Sequence, residues 1–279
     1  MSKLFGRKLE LTIDTIKLTG VAFPGLRVIA KVVRSLKVTA NAATVTVYNI
    51  SPEHRSALTK VAAPNVALTA GYDKQLTRLF VGQAVHVHHE KLVEAGDITT
   101  TVSSTDGGGA QQTARVKKSF PPGAKAGDVM AELVKALGIK VGNLNQAKAR
   151  LNAGKGATVF AEGVTLTGNA AAELTALCRS CGLEWSIQDG ALQVLDAAKA
   201  LSSEAIVLDS SLLMGTPSIS NKGIVQGVTF FHKDFTPGRQ IQIAHEFVSG
   251  VFRVEKCEYL LDTYADDWLV KFEAKGAAK

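Results

Sequence analysis

From Leu26 to Val38 the chain alternates side chains in one long run. Leu26, Val28, Ala30, Val32, Leu36 and Val38 fall on one face, interrupted only by Arg34. Arg27, Lys31 and Lys37 fall on the other, with Ile29 and Val33. A period of two places successive side chains on opposite sides of an extended backbone. The stretch therefore predicts a strand with an apolar core face and a basic face turned to solvent, a channel or a neighbour. Such a strand must be paired on both edges, and full closure of a sheet removes exposed edges altogether.

The neighbouring sequence supplies partners. Leu9, Leu11 and Ile13 alternate with Lys8, Glu10, Thr12 and Asp14. Phe23-Pro24-Gly25 reads as a turn before the long strand, and Asn41-Ala42-Ala43 as the turn after it. Val45, Val47 and Asn49 then share one face of a further strand, and Thr46, Tyr48 and Ile50 the other. That strand passes directly into a helix. Ser51 is suited to cap free backbone N–H groups, Pro52 to the first helical position, and Glu53 to the positive end of the dipole. Val66–Tyr72, Leu79–Val85 and the Thr-rich stretch from Asp97 to Ser104 complete the set. Four or five strands and one short helix with tight turns predict a small antiparallel barrel or sandwich.

After Asp106-Gly107-Gly108-Gly109, read as a hinge, the period changes. Thr113–Phe120 is extended and stops at Pro121-Pro122-Gly123. Val129, Met130, Leu133, Ala136 and Leu137 recur at helical spacing and are closed by Gly138. Ile139 and Val141 begin a strand. A second such unit runs from Asn169, a helix cap, through the stripe Leu174, Leu177, Cys178 and Cys181 to Gly182. Glu184–Ile187 and Ala191–Val194 then form a hairpin around Asp189-Gly190, a type I′ signal. The last third is β-rich again. Leu212–Pro217 reads as a linker and Val228–Phe231 as a strand, with Ile241 and Ile243 alternating with Gln240 and Gln242. In Gly250–Tyr259, Val251, Arg253 and Glu255 oppose Phe252 and Val254, and Asp262–Trp268 turns the chain into a final strand. The fold expected is mainly β with α+β insertions. Two small antiparallel tube-like barrels flank helix-plus-hairpin units, with boundaries at 1–106, 107–200 and 201–279.

Composition narrows the function classes. The chain has 279 residues, with 46% apolar and 20% charged side chains, and no apolar run long enough to span a bilayer. A basic start without an apolar stretch behind it is no secretory signal, so no membrane anchor is expected. Three cysteines fit a reducing compartment rather than a disulfide scaffold. The net charge of +7 is uneven: +6 over 1–37, +7 over 111–155 and −5 over 156–279. The asymmetry suits a polyanion partner or basic and acidic faces that meet between subunits, and we favour the second.

Chemistry-bearing patterns are sparse. His86, His88 and Glu90 share a strand face and His89 points away. Two same-face histidines can ligate zinc, but no second ligand cluster has metal-site spacing, so we read an exposed polar strand. Cys178-Arg179-Ser180-Cys181 has redox spacing, yet it lies at a helix C-terminus on the apolar stripe, where the dipole does not lower a thiol pKa. We read both cysteines as small buried apolar residues. Arg115, Lys117 and Lys118 are suited to phosphates or to a basic surface strand, which we favour. The Gly107–Gly109 run lacks the spacing of a P-loop or dinucleotide site. No catalytic residue, cofactor or metal is assigned.

The order of motifs resembles the hub proteins of phage tail baseplates, a family that shares its fold with the hubs of related contractile injection machines. The resemblance rests on Asn49-Ile50-Ser51-Pro52 leading into a helix, Ala70-Gly71-Tyr72-Asp73, and Leu79-Phe80-Val81-Gly82. Further on it rests on Gly182-Leu183-Glu184-Trp185 with Asp189-Gly190, Gly215-Thr216-Pro217, Pro237-Gly238, Gly250–Val254, and Thr263-Tyr264 with Trp268. It covers most of 8–275. Phe231-His232-Lys233-Asp234 departs from it, standing where many relatives carry an apolar residue and then Pro. The chain is also shorter than many hubs, which implies the absence of a peripheral domain.

The resemblance implies a homotrimeric ring with two barrels per subunit, joining a hexameric tail tube to a trimeric spike. Its implied partners are the tail tube or distal tail protein, the central spike, the tape-measure protein and baseplate wedge proteins, with transient passage of DNA. The implied location is the virion tail, after assembly in the host cytoplasm. Arg27, Lys31 and Lys37 then face the lumen or an adjacent ring. Two other classes compete with this reading. A nucleic-acid-binding β-barrel is motivated by the basic first half, but aromatics are 6% and none pair beside Lys or Arg on one strand to stack bases. A hydrolase needs paired carboxylates, a nucleophile with its base, or a metal set, and Glu90 and Asp266-Asp267 lack identifiable partners.

Overall fold

The computed structural model describes residues 6–21, 25–73, 75–94, 96–152, 158–197, 199–201 and 204–276. Phe23 and Pro24 of the expected turn lie outside the described residues. The first third forms β1 (Arg7–Ile13), β2 (Ile16–Val21), β3 (Val28–Ser35), β4 (Asn41–Tyr48), α1 (Pro52–Lys60), β5 (Asn65–Tyr72), β6 (Gln75–Lys91) and β7 (Ile98–Asp106). The middle forms α2 (Gly108–Thr113), β8 (Arg115–Phe120), β9 (Ala124–Lys125), α3 (Ala126–Leu137), α4 (Leu144–Asn152), β10 (Val159–Phe160), β11 (Val164–Asn169), α5 (Ala170–Ser180), β12 (Leu183–Gln188) and β13 (Ala191–Asp196). The last third forms β14 (Ala205–Asp209), β15 (Ser218–Ile219), β16 (Ile224–Phe230), β17 (Gln240–Ala244), β18 (Ser249–Asp262) and β19 (Trp268–Gly276).

The fold is mainly β, and the first and last thirds share one 13-stranded sheet. Its order is β15-β16-β19-β18-β3-β4-β7-β6-β5-β1-β2, with β17 joining β14 to β18. The seam is β18 against β3, in register from Asp262–Ile29 to Lys256–Ser35. Both parts curl. β2 returns to the start of β3 through a bridge from Gly20 to Leu26. Leu213 bridges to Thr229 of β16, while β14 runs parallel to β17. The Leu212–Met214 segment, expected as a linker, is therefore part of the hydrogen-bonded circuit. One apolar cluster lines both parts, from Leu9, Val32 and Val45 to Tyr259, Val270 and Phe272. Fully burying side chains of this size contributes about 1.5–3 kcal/mol each.

Local signals are met where chemistry is local. The Ser51 hydroxyl accepts from the His54 N–H at 3.3 Å, with Pro52 following. Asn169 accepts from the Ala172 N–H at 2.9 Å. Asp189 and Gly190 have φ of 55° and 75°, as a type I′ turn requires. Three expectations are corrected. Asn41-Ala42-Ala43 is not a turn but the start of β4, because the Asn41 side chain is buried and bonded rather than solvated. Lys140 makes only an isolated bridge to Ala191; Ile139 and Val141 begin no strand, and α4 follows with Leu144, Ala147 and Leu151 buried at helical spacing. Arg253 and Val254 lie on opposite faces as expected and both are buried, but the alternation does not run on unbroken to Tyr259, because a bulge between Val254 and Lys256 resets it. The core face of β18 passes from Val254 to Cys257, Tyr259 and Leu261. One inserted residue flips every side chain beyond it.

The middle region has its own apolar cluster, built from α3, α4, α5 and the β12–β13 hairpin. It meets the large sheet through polar side chains. Arg34, 5% exposed, donates from Nη1 to the Leu79 carbonyl at 2.9 Å, from Nη2 to the Asp189 carboxylate at 3.0 Å, and to Gln188 Oε1. Asn41 donates to Gln188 Oε1 and to the Ile187 carbonyl. The buried Asp106 carboxylate accepts from the Gly190 N–H at 2.8 Å. At the open end of the same hairpin, Arg253 bonds Glu184 at 2.9 Å, Glu255 at 2.6 Å and the Lys199 carbonyl at 3.2 Å. Two buried guanidinium groups thus hold the two ends of one hairpin. Gly107, at φ 70°, lies where a Cβ would come within 2.6 Å of the Ile187 side chain, so the hairpin rests directly on that backbone.

Removing one member of such a cluster strands the others without partners. Arg34→Ala is expected to lower stability by about 3 kcal/mol, measured by urea unfolding. Burial pushes the Asp106 carboxyl up to about 6, against an ordinary 3.8. The folded state therefore holds this proton more tightly than the unfolded chain does. Stability from this group is present below pH 3.8 and is lost as pH rises through about 6. The stability of the natural protein relative to Asp106→Asn is expected to increase as pH is lowered from about 6 to about 4, and then to level off.

Candidate assembly surface

The outward face of the sheet carries Lys31, with Arg27 at its margin, of the three predicted basic residues. In-register partners share a face, so pairings trace rows across the molecule. One row runs Phe230, Leu269, Leu260, Lys31, Thr44, Ser103, His86, from β16 to β6. Lys31 stands in its middle. The row crosses the β3–β18 seam, so the two thirds of the chain present one surface.

The positive charge of Arg27, just before β3, and of Lys31 on β3 is met within the chain. The Arg27 guanidinium reaches Asp262 at 2.8 Å and lies 4.9 Å from the centre of the Tyr48 ring. Burial works against the charge of Asp262, and the Arg27 guanidinium with the Tyr264 and Ala265 amides overcomes it, holding the carboxyl below its usual range. Lys31 pairs with Glu258 at 2.8 Å, which likewise lowers the Glu258 pKa. Lys37 is exposed and lies apart, lining a crevice with Leu36, Val38, Thr175, Arg179 and Glu184. The structure thus brings Arg27 and Lys31 together on one surface against β18, and leaves Lys37 at the junction with the middle region. A cavity of about 370 Å³ opens on the same sheet face, among Gln226, Val228, Lys256, Glu258, Lys271 and Glu273. Its walls alternate Lys and Glu, with Lys256 and Glu273 at 3.7 Å.

The remaining candidates fall as follows. His86 and His88 are exposed on β6, with rings stacked at 6.0 Å. His89 points away and pairs with the Thr100 hydroxyl at 2.9 Å, and burial lowers its pKa. Among the described residues no three His, Cys, Asp or Glu side chains are grouped to hold a metal. Cys178 is buried on α5, where desolvation pushes its thiol up to about 12, while Cys181 is half-buried. No described helix is long and apolar enough to cross a membrane. What periodicity did not show is that Arg34 and Arg253 are buried anchors of the β12–β13 hairpin. The signal for Arg34 was its interruption of an otherwise apolar face.

Comparison with solved structures gives matches over nearly the whole chain. The 43 kDa tail protein of prophage MuSo2 from Shewanella oneidensis is similar with a TM-score of 0.67 at 11% identity, covering 97% of each chain. A tail protein from Neisseria meningitidis MC58 is similar with a TM-score of 0.66 at 11% identity, again covering 97% of each. The E. coli c3393 protein is a type VI secretion system component described as structurally similar to T4 bacteriophage tail proteins gp27 and gp5. It matches with a TM-score of 0.60 at 12% identity, over 96% of this chain and 77% of that one. At these identities the likeness is one of fold. Comparison with curated protein sequences gives no match. The family described as Baseplate hub gp41 matches residues 9–274. The chain belongs to this baseplate hub family and is a phage tail structural protein.

Proposed function

We propose that the protein forms a homotrimeric ring in the tail baseplate, joining the tail tube to the central spike and leaving an opening for tape-measure protein and genome. The observation that carries this reading is the family match across residues 9–274, which includes both parts of the large sheet and the middle region. The division into 1–106, 107–200 and 201–279 then becomes two barrel-like regions around an inserted one. Two barrels per subunit, repeated three times, present six similar elements to a hexameric tube, and a closed ring leaves no strand edge free. The face through Lys31 lines the opening or meets the next ring. Its Lys–Glu pairs make it polar and close to neutral, a surface suited to passing a polyanion or a polypeptide without retaining it.

The role is mechanical rather than catalytic. The partners are the tube or distal tail protein, the spike, the tape-measure protein and the wedge proteins. The place of action is the virion tail, after assembly in the host cytoplasm. A nucleic-acid-binding role draws less support, because Arg27 and Lys31 are already paired with Asp262 and Glu258.

Light scattering of the purified protein, followed by particle imaging, is expected to give a trimer mass and rings with a central hole. A monomer that stays monomeric when the tail-tube or spike protein is added would sink the proposal. Lys31→Ala removes a solvent-exposed pair, and is expected to change unfolding stability by less than about 1 kcal/mol. Combined with Lys37→Ala it is expected to leave a folded protein that assembles less completely onto the tube protein, read by co-sedimentation.

A further inference from the structure

The β8–β11 ribbon has two unlike faces. Beneath it, Val116 is buried and Lys118 pairs with Glu132 of α3 at 2.7 Å, with its ammonium 5.5 Å from the centre of the Phe120 ring. The other face carries Arg115, Lys117 and Ser119 in register with Asn169, Thr167 and Thr165. The Ser119 and Thr165 hydroxyls lie 3.0 Å apart, which fixes this face as shared. Arg115, Lys117 and Ser119 are exposed. Arg115 donates to the Gln112 and Ala114 carbonyls, which steadies the guanidinium without neutralising it. Among the described residues, no ion pair involves Arg115, Lys117 or the nearby Lys125. This contrasts with Arg27, just before β3, and Lys31 on β3, which have carboxylates within the chain.

The ribbon has only two strands. Among the described residues β8 pairs with β11 alone, so its second edge presents backbone N–H and C=O groups without a strand partner. A free edge of this kind is a template for an added strand. Alternate residues of a strand are about 6.6 Å apart, so Arg115 and Lys117 match carboxylates at alternate positions of an added strand.

We propose that the outer edge of β8 receives an extended, acidic polypeptide segment of a partner protein as an added strand. Main-chain hydrogen bonds supply the affinity, and carboxylates at alternate positions set the register against Arg115 and Lys117. Single-stranded nucleic acid fits this face less well. The exposed side chains beside the cations are Ser119, Thr165 and Thr167, and the Phe120 ring lies on the opposite face under Lys118, so no aromatic platform is offered to bases. The inference does not depend on the ring reading, because it concerns an edge of the middle region and not the large sheet.

The test uses the full chain and a fluorescein-labelled peptide of about ten residues alternating Glu and Thr, followed by fluorescence anisotropy. Saturable binding is expected. It should weaken at least about tenfold in Arg115→Glu/Lys117→Glu, and should be lost when the peptide is N-methylated at alternate residues. Lys117→Gln, which adds no repulsion, should weaken it less and serves if the double variant does not unfold cooperatively. Three outcomes overturn the proposal: no saturable binding of the alternating peptide, equal binding of the N-methylated peptide, or tighter binding of a dT oligonucleotide that the same substitutions abolish.

Discussion

The pairing of β3 with β18 is the constraint on which the rest of the structure depends. It sets Ala30 opposite Leu261 and Lys31 opposite Leu260, residues from opposite ends of the chain. Without it the two β regions would be separate sheets, each with an open edge. With it they form one sheet, one apolar cluster and one continuous outer face. Closing so long a loop is entropically unfavourable until the contacts form. The bulge after Val254 makes the seam possible. It turns Cys257, Tyr259 and Leu261 into the core and Glu258 outward toward Lys31, while leaving Arg253 beneath the middle region.

A second constraint sits on the same strands. The middle region could have docked through an apolar face but meets the sheet through Arg34 and Arg253. Burying a guanidinium costs solvation, and the return comes only when every donor finds an acceptor. Arg34 finds the Leu79 carbonyl, Gln188 and Asp189; Arg253 finds Glu184, Glu255 and the Lys199 carbonyl. Such clusters tolerate little misalignment, whereas an apolar contact slides. The β12–β13 hairpin is thereby held in one position against strands from both ends of the chain.

Charge follows the same logic. The excess over the first residues suggests a polyanion site when counted along the sequence. In space it is divided. Lys8 and Lys17 meet Glu10, Arg27 meets Asp262, and Lys31 meets Glu258. The acidic residues that neutralise β3 come from the last third, whose own balance is negative. The expectation is of basic and acidic faces that meet between subunits; at these pairs the opposite charges meet within one chain instead. In the middle region, among the described residues, Arg115 and Lys117 of β8 have no ion pair within the chain.

Sequence alone determined what depends on near neighbours. The strands with Leu9, Leu11 and Ile13 or with Val28, Ala30 and Val32 are legible because side-chain alternation is a property of extended backbone. The caps at Ser51 and Asn169 and the turn at Asp189-Gly190 are legible because their hydrogen bonds and dihedrals close within a few residues. The order of these units also points to the hub family. The tertiary structure decided what depends on distant partners: the seam, the bulge in β18, the burial of Asn41, and the carboxylates that meet Arg27 and Lys31. Arg34 shows the division in one residue. Its position on an apolar face was visible in the pattern, but the acceptors that make burial tolerable lie about 150 residues away, where no periodicity reaches.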